Sequence, residues 1–508
     1  AYLITSTIVT PLYGKLSDLY GRKPFFLTAI TIFLVGSLAC TVATSMYELA
    51  AFRAVQGLGA GGLMALAMAI VADIVPPRDR GKYQGYFMGL FGLSSVAGPV
   101  VGGFFAGHET ILGVTGWRWV FLVNLPIGIV ALIVVAKVLN IPHTPRPHRV
   151  DWPGAVTLTV GLVPLLIVAE QGREWGWGSG TSLLCYGIGV VGLALFILAE
   201  RAYGEDALIP MRLFRSSVFS LTTVIGVIIG MGMFGAMLMI PQYLQMVKGE
   251  SPTMSGLMML PLMVGMMGLS IVAGQIISKT GRYKMLPIAG SAVMAVGALL
   301  FATVDVDTPI WLAMVYMFLI GAGLGPCMQT LVLATQNAVP PRDMGVASAS
   351  STFFRQMGGT LGTAVFLSVL FSEAGTKISA ALARVVPTEA FQKVLHDPKV
   401  AGDPVNKPVL EMFEKGGSGE GGGGDVLNDS SFLEKIDPRL ARPFKEGFAD
   451  SMTIVFLIAA ALVAVAFVLL WFVKEIPLRN ESGLQARAND AAAEKDGKAE
   501  EEKAAVAE

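Results

Sequence analysis

Gly14-Lys-Leu-Ser-Asp18-Leu-Tyr-Gly21-Arg22-Lys23 separates two apolar runs, and its outline returns as Gly274-Gln-Ile-Ile-Ser278-Lys-Thr-Gly281-Arg282-Tyr-Lys284. Val75-Pro-Pro-Arg-Asp-Arg-Gly81 recurs as Val339-Pro-Pro-Arg-Asp-Met-Gly345. Gly57-Leu-Gly-Ala-Gly61 recurs as Gly321-Ala-Gly-Leu-Gly325. One Gly-rich match arises easily by chance; three matched pairs in the same order point to two homologous halves.

The stretches between these motifs are apolar. Of the 508 residues, 54% are hydrophobic and 15% charged, where a soluble domain carries about a quarter charged residues. Mean hydropathy is +0.64. This is membrane-protein composition, and a spanning helix needs about 20 mostly apolar residues. The spans read as Ala1–Leu16, Phe25–Thr44, Leu49–Ile74, Gln84–Ala106, Trp119–Leu139, Trp152–Ala169 and Ser182–Ala199, then Val218–Ile240, Met254–Ile277, Met285–Val304, Ile310–Ala338, Val346–Phe371 and Ala449–Val473. The expectation is an all-α polytopic bundle of about thirteen visible spans. Parallel halves around a midplane site are a known transporter plan.

Basic residues alternate between connections. One set holds Arg22 and Lys23, then Arg78, Arg80 and Lys82, then Arg146 and Arg149, then Arg201, Arg212 and Arg215, then Lys279, Arg282 and Lys284, then Arg342, Lys474 and Arg479. The other connections hold little beyond Arg118, Arg173 and Lys248. Lys and Arg flanking spans stay on the cytoplasmic side, so the first set is cytoplasmic. The first visible span then runs inward. A cytoplasmic N-terminus requires one more leading helix, about fourteen spans in the parent protein; the alternative is a thirteen-span chain with an external start.

Four segments follow. Residues 1–139 form an N-terminal half, its first helix expected to be missing. Residues 140–217 hold two extra linker spans and a cytoplasmic connection. Residues 218–474 form a C-terminal half with a long external loop, 373–448. Residues 475–508 read as a disordered cytoplasmic tail, charged and Ala-rich. The loop carries a Gly/Ser linker at Gly416–Gly424, and Thr376–Arg384 beside it reads as a short amphipathic helix.

The motif residues resemble the major facilitator superfamily, and in detail its fourteen-span drug:proton antiporters. Gly14, Asp18, Gly21, Arg22 and Lys23 match the superfamily's loop signature. Arg53, Gln56 and Gly57 match the R-x-x-Q-G signature of a later span. Gly98-Pro99-Val-Val-Gly102-Gly103 matches the antiporter signature, with Ser94 where that signature has Gly. Trp117-Arg-Trp-Val-Phe-Leu-Val-Asn124-Leu-Pro126-Ile-Gly128 looks like the fourteen-span subfamily. The resemblance runs from Ala1 to Val473, apart from the long loop. It implies two helical halves, proton-driven export and a part in proton coupling for Arg53.

Physical chemistry gives these residues roles. Asp18 and Arg22 lie one helical turn apart beside the membrane, and an acid there can cap a neighbouring helix's positive N-terminus. With Gly14, Gly21, Lys23, Asp73, Arg80 and Arg282 they read as a conformational latch. Asp73 is expected to pair with Arg78 or Arg80, and the loop basics to bind acids of the adjacent half. Ser278 stands where Asp18 would be, so the latch is expected to be weaker on that side. Plain positive-inside topology accounts for the bases but not for Asp18. Arg53 is an intramembrane charge, a functional site by default, with the outer interface as its ordinary alternative; its acidic partner is expected on the missing helix. Gly85, Ser94, Gly98, Gly102 and Gly103 read as one small-residue face for close packing, with Pro99 as a kink. Gly358, Gly359 and Gly362 form a similar face beside Arg355, a second embedded charge near the cytoplasmic end.

Candidate cavity groups are Gln56, Asn124, Gln275, Gln329 and Gln336, although buried amides often only bridge helices. Methionines clustered between Met231 and Met267 suit an adaptable surface or plain apolar filling. The Gly57 and Gly321 segments lack the Lys-Ser/Thr of a phosphate loop, so ATP drive has no support. Cys40, Cys185 and Cys327 have no metal or disulfide spacing. No nucleophile–base array and no metal set appears, so no enzyme and no cofactor is expected; a proton gradient supplies the energy. Net charge is zero, with no field for nucleic acid. The reading is proton-driven export of amphipathic small molecules, drugs or antibiotics, across the inner (plasma) membrane by alternating access. The alternatives are export of a native lipid or cell-envelope amphiphile, and a non-transporting receptor or scaffold. Expected partners are a small amphipathic substrate, membrane lipid, protons and an external partner at the long loop.

Overall fold

The computed structural model describes residues 1–141, 149–403, 405–407, 409–410, 436–478 and 485. The chain runs α1 (Tyr2–Tyr20), α2 (Arg22–Val42), α3 (Met46–Ile74), α4 (Pro77–Ala106), α5 (Trp119–Leu122) and α6 (Asn124–Val138), then the linker pair α7 (Trp152–Trp175) and α8 (Gly180–Tyr203). The second half holds α9 (Ser217–Gln242), α10 (Pro252–Met258), α11 (Leu260–Thr280), α12 (Met285–Phe301), α13 (Ile310–Asn337), α14 (Met344–Val385), the short α15 (Glu389–Leu395) and α16 (Pro398–Ala401), and α17 (Pro438–Trp471). Each expected span falls on a helix. Among the described residues, 10 helices are long and apolar enough to cross a membrane, and Met285–Phe301 is a shorter apolar one. Helices α1 and α4 pack in the same bundle, α1 on α3 and α4 on α11.

Local chemistry sets the helix ends. Ser45, Asp151, Ser216 and Ser251 each accept a backbone N–H of the first turn they precede, replacing partners that a helix start lacks. Gly21 joins α1 to α2 at φ 98° and ψ 154°, a region essentially confined to glycine. Its counterpart Gly281 ends α11 in the left-handed conformation.

The repeated glycine pairs explain how each half closes. A Cβ on Gly57 would strike Thr5 and the Tyr2 carbonyl of α1, and one on Gly61 the Ser6 carbonyl. In the second half, Gly321 and Gly325 meet the Leu262 and Met266 carbonyls of α11 in the same way. Thus α3 lies on α1, and α13 on α11, at backbone distance. The linker hairpin uses the same device, with Gly161 and Gly192 packed against each other. The largest apolar core belongs to the second half, around Ile225, Phe301, Met317, Phe366 and Phe456.

Three segment boundaries differ from expectation. Thr376–Arg384 is not a separate helix but the continuation of α14, which is 42 residues long. The last helix begins at Pro438, not at Ala449. The two extensions pack together: Gly447 lies against Ile378, and Phe444 and Phe448 are fully buried. Helical backbone satisfies its own hydrogen bonds, and the Ala and Leu positions after Phe371 keep one apolar face, so the pair extends past the bilayer. The tail is also docked at its start. Glu475 accepts the Tyr283 and Lys284 N–H groups at 2.8 and 3.2 Å, and Asn337 donates to the Ile476 carbonyl at 3.0 Å. Arg146, the Gly416–Gly424 linker and the tail beyond 478, residue 485 apart, lie outside the described residues.

Candidate functional site

The signature at the end of α1 builds a buried ion cluster. Turning the chain at Gly21 places Arg22 at the start of α2, where it pairs with Asp18 and, at 2.8 Å, with Asp73 of α3. Ser17 Oγ accepts from the same guanidinium at 2.5 Å. Asp18 also reaches the other half: its Oδ2 accepts the Val346 N–H at 2.9 Å, in the first turn of α14. First-turn N–H groups have no intrahelical partner and carry the positive end of the dipole. Gly14 and Gly345 permit this approach. A Cβ on Gly345 would overlap Asp18 and Arg22, and one on Gly14 would overlap Ala349.

The internal repeat makes a second contact. Gly274 of α11 and Gly81 of α4 touch as Gly14 and Gly345 do. Here Ser278, in place of an acid, donates to Asp79 at 3.2 Å, and Arg78 donates to the Ser278 and Lys279 carbonyls at 2.8 and 3.2 Å. Arg80, fully buried, donates to the Val75 carbonyl at 2.8 Å and the Ala72 carbonyl at 2.6 Å at the end of α3. It crosses to Gln336 of α13 at 3.1 Å, and Gln336 donates on to Ser348 at 2.9 Å.

Several expected roles change. Asp73 pairs with Arg22, while Arg78 and Arg80 donate to helix-end carbonyls. Arg22 binds acids of its own half; the link across halves is made by Asp18. Lys23 stays outside the cluster and donates to Asn140 at 2.9 Å. Arg282 is exposed, and its side chain makes no hydrogen bond or ion pair among the described residues.

The small residues of α4 lie on two faces, not one. Gly81, Gly85, Gly89 and Gly92 face α11, at Gly274, Ile271, Met267 and Met263. Gly103 is in step with Gly85, eighteen residues or about five turns on, and it meets Thr253 at 3.5 Å. A Cβ on Gly98 or Gly102 would meet nothing within 4 Å. Ser94, Gly98 and Gly102 share an i, i+4, i+8 stripe on the side away from α11, and Pro99 falls within the same helix. In the second half Gly358 and Gly362 pack on Val227 and Met231 of α9, a contact inside one half.

Arg53 is half-buried. It donates to Gln56 at 2.8 Å, and its guanidinium stands 4.6 Å from the Tyr2 ring centroid and 5.5 Å from that of Phe121. Among the described residues no carboxylate pairs with it. Gln56 donates to Ser37 at 2.5 Å and Asn124 to the same hydroxyl at 3.3 Å, so both serve contacts inside the first half. Gln275 is exposed.

Between the halves lies a cavity of about 110 Å³. Its walls are Met64, Met68, Gln84, Met233, Phe234, Met328, Gln329, Val332, Thr352, Arg355 and Gln356. An adjoining chamber of about 350 Å³ shares Phe234 and Gln356 and is lined also by Thr7, Glu170, Glu174, Trp177 and Thr360. Of the five amides expected here, Gln329 alone lines the smaller cavity. Its carboxamide is engaged, accepting from Ser270 and donating to the Gly81 carbonyl, both at 2.8 Å. Met233 is the cavity member of the methionine cluster, while Met263 and Met267 pack on the glycines of α4. Sequence reading missed Gln84 and Gln356. Gln84 sits one turn past Arg80 with no motif around it, so only packing identifies it.

A family model described as Major Facilitator Superfamily matches residues 1–363. An uncharacterized MFS-type transporter of Mycobacterium tuberculosis is 34% identical over 482 residues, 94% of this chain; the chain spans 64% of that relative's length. The multidrug transporter protein MdtP of Bacillus subtilis is 33% identical over 499 residues, covering 97% of this chain and 88% of that one. In fold, the proton:xylose symporter XylE matches with a TM-score of 0.51 at 17% identity, over 96% of this chain and 87% of that one.

Proposed function

Since this chain belongs to the Major Facilitator Superfamily, a family of membrane transporters rather than enzymes, we propose that it exports amphipathic small molecules, drugs or antibiotics, across the cytoplasmic membrane. In this reading the drive is a proton gradient and the mechanism alternating access. The observation that carries it is the double seam. Two symmetry-related contacts, Gly14–Gly345 and Gly81–Gly274, close the ends of the halves beneath an apolar cavity. They rest on small residues and a few polar bonds, a seal that two rigid halves can break and remake. The multidrug transporter MdtP supports the cargo class. Arg53, held by ring faces and an amide, is offered as the coupling cation: a buried cation beside a proton-carrying acid lowers that acid's pKa and favours proton release.

Export of a native lipid or envelope amphiphile is the second reading, favoured by the paired extensions of α14 and α17 beyond the bilayer. The test uses the full-length protein in proteoliposomes with an imposed pH gradient and a panel of amphipathic compounds. Expected is uphill movement that stops when an ionophore collapses the gradient. Movement indifferent to the gradient refutes proton drive, and no movement of any compound refutes export. Movement of lipid alone selects the second reading.

A further inference from the structure

We infer that the cavity at Arg355 is an anion site, and that it takes the carboxylate or like-charged end of an amphipathic cargo. That the occupant is cargo rests on the export reading; that the site prefers anions does not.

Arg355 lies eleven residues past the start of α14, about 17 Å along the helix. Arg355 is half-buried, while the buried guanidiniums of Arg22 and Arg80 are engaged, Arg22 by Asp18, Asp73 and Ser17, and Arg80 by three oxygens. The Arg355 guanidinium has no acceptor and no carboxylate among the described residues, and it faces the cavity. Met64, Met68, Met233, Met328 and Phe234 make the remaining wall apolar. Glu170 and Glu174 line the adjoining chamber, not this one.

A second buried polar group lines the same wall. Gln84 is 2% exposed, and its Oε1 has no hydrogen-bond partner. Its carboxamide carries both donor and acceptor, so Gln84 adds a neutral polar group beside the charge of Arg355. Arg presents a planar fork that fits a carboxylate in two bonds. In surroundings of low dielectric the same charge repels a cation strongly. Methionine walls adapt to varied apolar bodies, so the charge, more than the shape, selects the cargo.

The experiment titrates full-length protein in detergent with 2-naphthoate and with its neutral counterpart 2-naphthamide, by calorimetry. Expected is tighter binding of the acid by about tenfold or more, the worth of a charged hydrogen bond. Arg355→Gln should bring the two probes within about twofold of each other, and Arg355→Lys should keep part of the preference, because charge remains and the fork is lost. Equal binding of both probes by the unaltered protein overturns the inference, as does failure of naphthoate to bind at millimolar concentration. Survival of the preference in Arg355→Gln also overturns it. The comparison in unaltered protein holds even if a variant misfolds. The same probes in proteoliposomes separate the two readings. If naphthoate binds but no compound of any charge is moved, export fails and the anion site stands. If neutral or cationic compounds are moved while naphthoate does not bind, the anion site fails and export stands.

Discussion

Replacing Asp18 by Asn would keep the shape of the side chain and its acceptor for the Val346 N–H, but remove the charge that faces Arg22 and the N-terminus of α14. A carboxylate at a helix N-terminus contributes about 0.3–2 kcal/mol, so its loss shifts a two-state equilibrium by severalfold. Asp73 remains to hold Arg22, which limits damage to folding. The expected outcome of Asp18→Asn is near-normal protein level with slower transport. A cysteine placed at Ala349, which packs on Gly14 in the seam, should then react with a thiol reagent severalfold faster than in the Asp18 background. Equal reactivity would show that the carboxylate does not hold the seam shut. Much of this cluster was legible, because a lone acid beside basic loop residues has few other uses. The pairing of Arg22 with Asp73 was not. They are 51 positions apart, and the nearer bases Arg78 and Arg80 compete on paper.

At the scale of elements, α4 separates two uses of glycine that sequence merges. A side chain at Gly81 would meet Gly274 and the Gln329 amide, all inside 3.1 Å of a Cβ, while one at Gly98 meets nothing. Overpacking a closed contact costs about 1–3 kcal/mol. Gly81→Leu should therefore lower the melting temperature of detergent-purified protein by several degrees, and Gly98→Leu should leave it close to unchanged. Equal destabilisation by both would mean that Gly98 packs against something beyond this arrangement of the halves. Helical phase explains why the faces were merged: the motif lists its small residues by spacing, and the assignment to faces appears once Gly85 and Gly103 are found on the α11 side. Helix lengths were misread for another reason. After Phe371 the apolar run breaks at Ser372 and Glu373, but an amphipathic helix needs one apolar stripe, not a continuous run, so α14 continues to Val385.

For the whole molecule, the order of the three repeated motifs was enough to divide the chain into halves, because each motif performs the same packing task twice. The shape of the space between the halves was not readable, since its walls come from α3, α4, α9, α13 and α14, and no local pattern says which turns converge. That division makes a mechanical prediction. If the halves rock about a central cavity, the seam between α4 and α11 must part in every cycle. Ser278 and Asp79 face each other across it, with their side-chain oxygens 3.2 Å apart, so cysteines at these positions would stand on facing helices of the seam. Cys40, Cys185 and Cys327 are free thiols and would first be replaced by serine or alanine. In that background, Ser278→Cys with Asp79→Cys should form a disulfide on oxidation, and transport should fall to background and return with reductant. The control is a pair inside the linker hairpin, Leu165→Cys with Gly189→Cys, where the two positions already touch. Rocking moves that hairpin as one body, so oxidation there should leave transport intact. Full transport with the engineered disulfide across the α4–α11 seam closed would mean that substrate passes without parting the seam, and alternating access by rigid halves would be wrong for this chain.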